Sequence, residues 1–364
     1  MAQPRILLDL RMVQGPLHGI ARYALELARR LPALEPAWRF EALVPPSGLP
    51  SSLELRPPPE VTLNRAAVPF LHALEQPTLG VELLRLRPAL FHATSFSLPG
   101  LWPGKLVATL HDANHLALAE HYGAAQRAYY RVVVGPRAQR ASALITVSDF
   151  SRRELSKWLG LREERLQVIH NGVDARFRPY GAGELRAVRE RLALPSRFVL
   201  GVGNEKPHKG LRTLAEVAES LGAPLVLLAG EGAAKRLGFP SGVRDLGTVP
   251  ESDLPLVYAA ATVLAFPSVY EGFGLPALEA MACGTPVVAA SGSSLEEVCG
   301  AAALFFSPGD AGGLRDAVLR LVRDERLRED RSRLGVERAA RFSWDACARQ
   351  TLEVYRRALP SRRG

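Results

Sequence analysis

The stretch Ser268-Val269-Tyr270-Glu271-Gly272-Phe273-Gly274-Leu275-Pro276-Ala277-Leu278-Glu279-Ala280-Met281-Ala282-Cys283-Gly284-Thr285-Pro286-Val287-Val288 reads as loop, helix and strand in that order. Pro276 suits the first turn of a helix and Gly284 its exit. Gly272 and Gly274 bracket Phe273 just ahead of the helix start, where backbone N–H groups can approach an anion closely and the helix dipole favours its negative charge. The segment is therefore expected to form a diphosphate pocket. Glu279 is expected in the first turn or so of the helix, where a carboxylate accepts hydrogen bonds from a ribose diol, and Glu271 stands before the turn, nearer any sugar. An ordinary glycine turn with a dipole-complementing glutamate has the same spacing, so the residues alone leave both readings open.

Outward from this unit, short apolar runs alternate with helical patterns along the whole chain, which is the signature of parallel sheets covered by helices on both faces. Expected strands are 5–10, 39–44, 89–92, 105–110, 143–147 and 166–169 in the first half, and 197–202, 225–229, 243–246, 262–266, 286–289 and 303–306 in the second. Most are continuously apolar, as strands buried on both faces are. At 364 residues the chain exceeds what one core usually supports, so the expected fold is α/β with two Rossmann-like domains. Pro179, Gly181 and Gly183 mark a linker and lead-in helix over 174–195, and the boundary is set near Tyr180. This gives domains over 1–179 and 180–342, with a terminal helix over 343–364. Open α/β sheets bind ligands outside the carboxyl ends of their strands, so residues that follow strands carry the chemistry.

One such run is Gly201-Val202-Gly203-Asn204-Glu205-Lys206-Pro207-His208-Lys209-Gly210, which contains no Walker sequence. Against 41 arginines the chain has five lysines, and two of them, Lys206 and Lys209, fall in this loop. Compact ammonium charges there could neutralise a leaving diphosphate; solvated loop charges are the plainer alternative.

Through these residues the chain resembles glycosyltransferase family 4, whose GT-B fold sets two Rossmann-like domains with parallel sheets facing across a cleft. The E-x7-E element, Glu271 to Glu279, carries the resemblance. It implies that Glu279 holds the nucleotide ribose, that Glu271 lies beside the donor sugar, and that backbone at Gly274 and Leu275 contacts phosphate, with Gly272 and Phe273 in the same donor-binding set. Lys209 matches the lysine of the family's basic pair. Where many members carry its arginine partner, this chain has Asn204, in the pattern Gly-Asn-x-x-Pro-His-Lys of a mannosyl- and rhamnosyltransferase-like subset, with Lys206 close by. Val249, after the 243–246 strand, and Gly19, in the loop Gln14 to Tyr23, complete the donor-binding set. His111-Asp112 ends the run 106–110 and resembles the family's His-Asp pair, whose His reaches the donor sugar; His111, Glu271 and Lys209 are thus the implied catalytic residues. Ser148-Asp149-Phe150-Ser151 reads mainly as a helix start, with Glu154 closing a capping box on Ser151. His170-Asn171-Gly172-Val173-Asp174 reads as a turn. Ser343-Trp344-Asp345 resembles the family's terminal element, which crosses back to the first domain.

Composition narrows the classes. With 47% hydrophobic and 23% charged residues the chain is globular, and no apolar stretch approaches the roughly 18 to 20 residues that span a bilayer. The opening Met1-Ala2-Gln3-Pro4-Arg5 lacks a signal-peptide pattern, so cytoplasmic residence is expected, with peripheral contact at the inner membrane face left open. Cys283, Cys299 and Cys347 lack metal-site spacing and read as structural. The net charge of +9 is uneven: residues 1–178 hold 22 Lys/Arg and 15 Asp/Glu (+7), and the remainder 24 and 22 (+2). A basic face can meet nucleic acid, anionic membrane or a phosphorylated acceptor, but no nucleic-acid motif occurs. The stretch 124–140 combines Arg127, Arg131, Arg137 and Arg140 with Tyr129 and Tyr130, and fits either an anionic membrane surface or a solvated helix.

No Asp-x-Asp pair is present in the sequence, so no metal and no cofactor beyond a nucleotide-diphosphate sugar is expected. The resemblance implies transfer of a hexosyl group with retained anomeric configuration, first of all mannosyl from GDP-mannose, to a hydroxyl of a saccharide or lipid-linked acceptor in polysaccharide biosynthesis. A nucleotide-sugar epimerase of the same architecture and a nucleotide-sugar-binding protein without turnover stand as alternatives.

Overall fold

A computed structural model describes residues 3–15, 17–100 and 102–359, and the chain divides into two compact units, Met1–Gly172 with Trp344–Gly364, and Val173–Ser343. In the first, β1 (Arg5–Asp9), β2 (Arg39–Val44), β3 (Thr62–Arg65), β4 (Leu90–Ala93), β5 (Lys105–Thr109), β6 (Ala143–Thr146) and β7 (Leu166–Val168) form a seven-stranded sheet in the order β3-β2-β1-β4-β5-β6-β7. All its pairings are parallel. In the second, β8 (Val199–Val202), β9 (Leu225–Leu228), β10 (Arg244–Asp245), β11 (Val263–Phe266), β12 (Val287–Ala290) and β13 (Ala303–Phe306) form a six-stranded parallel sheet in the order β10-β9-β8-β11-β12-β13. The central strands are apolar throughout because helices cover both faces: β11 and β12 are buried at every position.

Every expected strand is present, with ends displaced by a residue or two. β3 was not anticipated. Its sequence, Thr-Leu-Asn-Arg, lacks an apolar run, and it can do without one because it lies at the sheet edge with its side chains largely in solvent.

The units divide between Gly172 and Val173 rather than near Tyr180. Val173 pairs in parallel with Ser343 and donates its N–H to the Phe342 carbonyl, while Phe177 is buried edge-on against Tyr258 with ring centres 5.9 Å apart. These contacts fasten the segment before the lead-in helix Ala182–Leu192 to the second unit.

The terminal helix Trp344–Ala358 packs in the first unit. Trp344 is fully buried beside Tyr23, and the Tyr355 hydroxyl lies 2.5 Å from His92 Nδ1, whose ring continues through Nε2 to the Thr109 hydroxyl (2.8 Å). Tyr23 closes this chain with its own hydroxyl 2.8 Å from Thr109 Oγ1. The three cysteines are buried and reduced, and burial pushes the Cys299 and Cys347 thiols up to about 12, in keeping with packing roles.

Candidate active site

In the second sheet the strand order reverses between β8 and β11, the point where open α/β sheets leave a crevice at the carboxyl ends of their strands. The loops leaving these two neighbours are joined. After β8 the chain makes a tight turn, Pro207–Lys209, and exits through Gly210 at φ +65°. A Cβ there would stand 2.1 Å from the Pro267 carbonyl oxygen, so only glycine permits the approach. The His208 carbonyl then accepts the Val269 N–H (2.8 Å) and the Ser268 hydroxyl (3.2 Å), stitching the loop after β8 to the loop after β11.

That stitching sets Lys209 against Glu271: Nζ lies 2.7 Å from Oε1, with the side chains only 20% and 11% exposed. The Glu271 carbonyl accepts the Ser294 hydroxyl at 2.8 Å, which fixes the loop from its other side. Gly272, Phe273 and Gly274 follow, all buried. The Phe273 ring turns inward, edge-on to Phe342 at 5.7 Å, so what this residue can present to a ligand is backbone. Gly274 holds φ +94° and caps the helix Leu275–Ala282, and a Cβ on it would strike Leu295 Cδ2 at 2.4 Å. The helix start leaves the Leu275 N–H without an intrahelical acceptor and puts the positive end of the dipole beside Glu271 and Lys209.

Glu279 is not in the first turn. With Gly274 as cap it falls fifth in the helix, in the second turn, where it is 6% exposed. The helix starts where the sequence placed it, directly after Gly274 and with Pro276 in its first turn. Burial first, and the Glu279 carboxylate second, raise the pKa of the Cys283 thiol one turn on.

The remaining expected donor contacts separate into two sets. Asn204 and Lys206 lie in the same loop as Lys209 but are exposed. Asn204 Oδ1 accepts the Lys206 N–H at 3.1 Å, so the asparagine shapes the turn, and Lys206 makes no ion pair with Glu205, which pairs instead with Arg236. Val249 is half-buried in the loop after β10.

Gly19 and His111 belong to the first unit. Gly19 opens the helix Gly19–Leu34, capped by His18, whose Nδ1 accepts the Ala21 N–H at 3.4 Å; Pro16 of this loop lies outside the described residues. His111 follows β5, with Tyr23 edge-on at 4.9 Å and Nε2 2.9 Å from the Thr94 carbonyl. A carbonyl only accepts, so Nε2 carries the proton and Nδ1 is left as an acceptor. Burial, and secondarily the nearby His18, hold the imidazole down at about 4, which keeps it neutral at pH 7. Asp112 accepts the Asn114 N–H at 3.1 Å and so caps the next turn.

The helix over Asp149–Leu159 is capped by Ser148, not Ser151: Ser148 is extended at the end of β6 and its hydroxyl accepts the Ser151 N–H at 3.0 Å. Glu154 accepts from Trp158 Nε1 instead of closing a box. Ser151 gains a different task, donating its hydroxyl to the His111 carbonyl at 2.8 Å. Ser151, Ser294, His208 and Gly210 are positioning residues that the sequence did not expose. For Ser294 a signal existed, since Ser293-Ser294-Leu295-Glu296 has the form of a helix cap.

Two family models match the chain, "Glycosyltransferase Family 4" over residues 17–177 and "Glycosyl transferases group 1" over residues 196–324. The chain belongs to glycosyltransferase family 4. Its glycosyltransferase activity uses a nucleotide-sugar donor. Among relatives, it is 29% identical to O-antigen chain mannosyltransferase B of Escherichia coli, over 97% of this chain and 99% of that one. It is 27% identical to the serotype-specific mannosyltransferase WbdA of Escherichia coli, over 71% of this chain and 34% of that longer protein. Sucrose-phosphate synthase from Thermosynechococcus elongatus shares the fold, with a TM-score of 0.80, 22% identity and 98% of each chain covered. The family fold, GT-B with two parallel-sheet α/β domains, is the one expected from the sequence.

Proposed function

We propose that this family 4 enzyme is a retaining mannosyltransferase that moves mannose from GDP-mannose to a hydroxyl of a saccharide or lipid-linked saccharide during polysaccharide synthesis, without a metal ion. The observation that carries the reading is the 2.7 Å pairing of Lys209 with Glu271 at the mouth of the helix Leu275–Ala282. It supplies one cation and one carboxylate beside a helix N-terminus. The cation and the dipole suit a diphosphate that gains charge as it leaves, and the carboxylate suits the hydroxyls of a sugar becoming oxocarbenium-like. Glu279, buried in the next turn, suits the ribose. In this reading the bond from anomeric carbon to phosphate oxygen breaks, the acceptor oxygen bonds to the same face of that carbon, and its proton passes to the departing phosphate. The products are the mannosylated acceptor and GDP. Neutral His111, in the first unit, keeps Nδ1 as an acceptor of the kind that suits a sugar hydroxyl. The choice of mannose is supported by the two mannosyltransferases among the relatives.

Calorimetric titration of UDP, GDP, ADP and dTDP into wild type and Glu279→Ala, with EDTA throughout, tests the site. GDP should bind without metal and lose affinity about tenfold or more in the variant, as loss of a charged hydrogen-bonding partner implies. Binding that requires metal, or that ignores Glu279, would sink the proposed donor site. Transfer from GDP-mannose to an acceptor, with the product anomer read by NMR, then tests sugar and stereochemistry.

A further inference from the structure

In the second sheet β10, β9 and β8 are neighbours in that order, and the loops that leave their carboxyl ends are tied to one another. Glu205, in the loop after β8, holds the Arg236 guanidinium, whose Nε lies 2.9 Å from both carboxylate oxygens. The same guanidinium donates to the Glu231 carbonyl, in the loop after β9, at 2.7 Å. The Gly230 N–H in turn reaches the Gly247 carbonyl, in the loop after β10, at 3.0 Å. One continuous wall therefore runs from the loop that carries Lys209 to Thr248 and Val249.

At the far end of this wall a carboxylate is held in place. Glu231 covers the buried Gly247 so closely that a Cβ on that glycine would stand 2.3 Å from Oε1. Oε1 accepts the Thr248 N–H at 3.3 Å and the Thr248 hydroxyl at 3.4 Å. Among the described residues Oε2 accepts no hydrogen bond, and Glu231 makes no ion pair, because Arg236 of the same turn is engaged by Glu205. The next amide along, the Val249 N–H, likewise has no acceptor among them. The wall thus ends in an N–H donor beside a carboxylate with a spare oxygen.

Guanine carries the complement on one edge: O6 accepts, while N1–H and the N2 amino group donate side by side to a carboxylate. Uracil and adenine do not. Uracil would turn its O2, an acceptor, toward the carboxylate, and adenine its unprotonated N1, so each meets repulsion where guanine makes charge-assisted bonds. Resting on the reading above that a GDP donor sets its diphosphate at Lys209, we infer that Glu231 selects the base: its carboxylate receives N1–H and the N2 amino group of guanine, and the Val249 N–H donates to O6. Gly247 belongs to the same device, since a residue without a side chain leaves the carboxylate its seat.

Calorimetric titration of GDP, inosine diphosphate and UDP into wild type, Glu231→Gln and Glu279→Ala tests this. Inosine diphosphate differs from GDP only in lacking the N2 amino group. Wild type should prefer GDP to inosine diphosphate about tenfold, as one charge-assisted hydrogen bond implies. In Glu231→Gln the side-chain NH2 meets a donor whichever way the amide is turned, either guanine or the Thr248 N–H. GDP affinity should therefore fall roughly tenfold or more, its advantage over inosine diphosphate should vanish, and UDP should change less than about twofold. Glu231 is exposed, so the substitution costs little stability, and an unchanged thermal unfolding transition certifies the fold. Glu279→Ala, acting on the ribose, should weaken GDP and inosine diphosphate alike. The proposal is overturned if wild type does not distinguish the two purines, or if Glu231→Gln keeps the wild-type preference; the GDP reading then stands, with guanine read by another group. A wild type that binds UDP more tightly than GDP overturns the GDP reading itself and this inference with it, an outcome visible before any variant is made.

Discussion

Lys209 and Glu271 stand 62 positions apart in the chain, yet their charges lie 2.7 Å from each other. Each neutralises the other. In the proposed reaction a diphosphate draws the ammonium away and leaves the carboxylate to the sugar, so substrate arrival itself would separate the pair. Glu271→Gln keeps the shape and removes the charge. It should lower kcat roughly 100-fold, in line with loss of a preorganised electrostatic partner, while changing donor affinity far less, and steady-state kinetics separate the two. A variant whose entire loss lay in KM would show that Glu271 only holds the ground state. The glutamates were legible in the sequence because their spacing is local. Their partners were not, since a hydroxyl such as Ser294 becomes a positioning group only when folding brings it to the Glu271 carbonyl.

At the scale of elements, the site depends on how closely two loops approach. Strand order sets β8 beside β11, and Gly210 lets the loop after one touch the loop after the other. Gly210→Ala meets two obstacles, a positive φ and a Cβ 2.1 Å from the Pro267 carbonyl, which is backbone and cannot swing aside. The expected cost is about 2–4 kcal/mol in chemical denaturation, with weakened nucleotide binding as the loops part. Gly15, by comparison, has a positive φ but open space around its Cβ direction, so alanine there is opposed by backbone conformation alone. The apolar runs foretold the central strands because burial on both faces demands apolar residues at every position. The same reasoning passed over β3, whose edge place relieves it of that demand. Helix starts were less legible: serines at 148 and 151 are equally good caps in sequence, and the extended end of β6 selects the first.

For the molecule as a whole, the chain returns at its end to the unit where it began, and the return is fastened through buried polar groups. His92 is fully buried between Tyr355 and Thr109, and burial, helped by His111, holds its pKa near 3. An unfolded histidine takes up protons below about 6.5, whereas this one stays neutral, so the unfolded state binds more protons between those values. The contribution is therefore fully present above about pH 6.5 and declines as pH falls toward 3. At pH 5 it amounts to a loss of about 2 kcal/mol relative to pH 7 from this residue. Denaturant melts of wild type and His92→Leu across pH 4–8 read this directly: the variant should be less stable at pH 7 yet show a flatter acid limb, and parallel curves would assign the acid sensitivity elsewhere. What the sequence determined by itself is what local patterning encodes: two α/β halves, the strands buried on both faces, and the glutamates and lysine of the proposed donor site, because strand periodicity, glycine turns and short spacings need no distant partner. Tertiary structure alone decided that Lys209 meets Glu271, that Ser151 and Ser294 hold backbone carbonyls, that Glu231 seats its carboxylate against Gly247 and Thr248, and that the last helix joins the first unit through His92. Each of these is a contact between groups far apart in the chain, and only the order of strands in the sheets and the close packing of loops and helices against them bring such groups together.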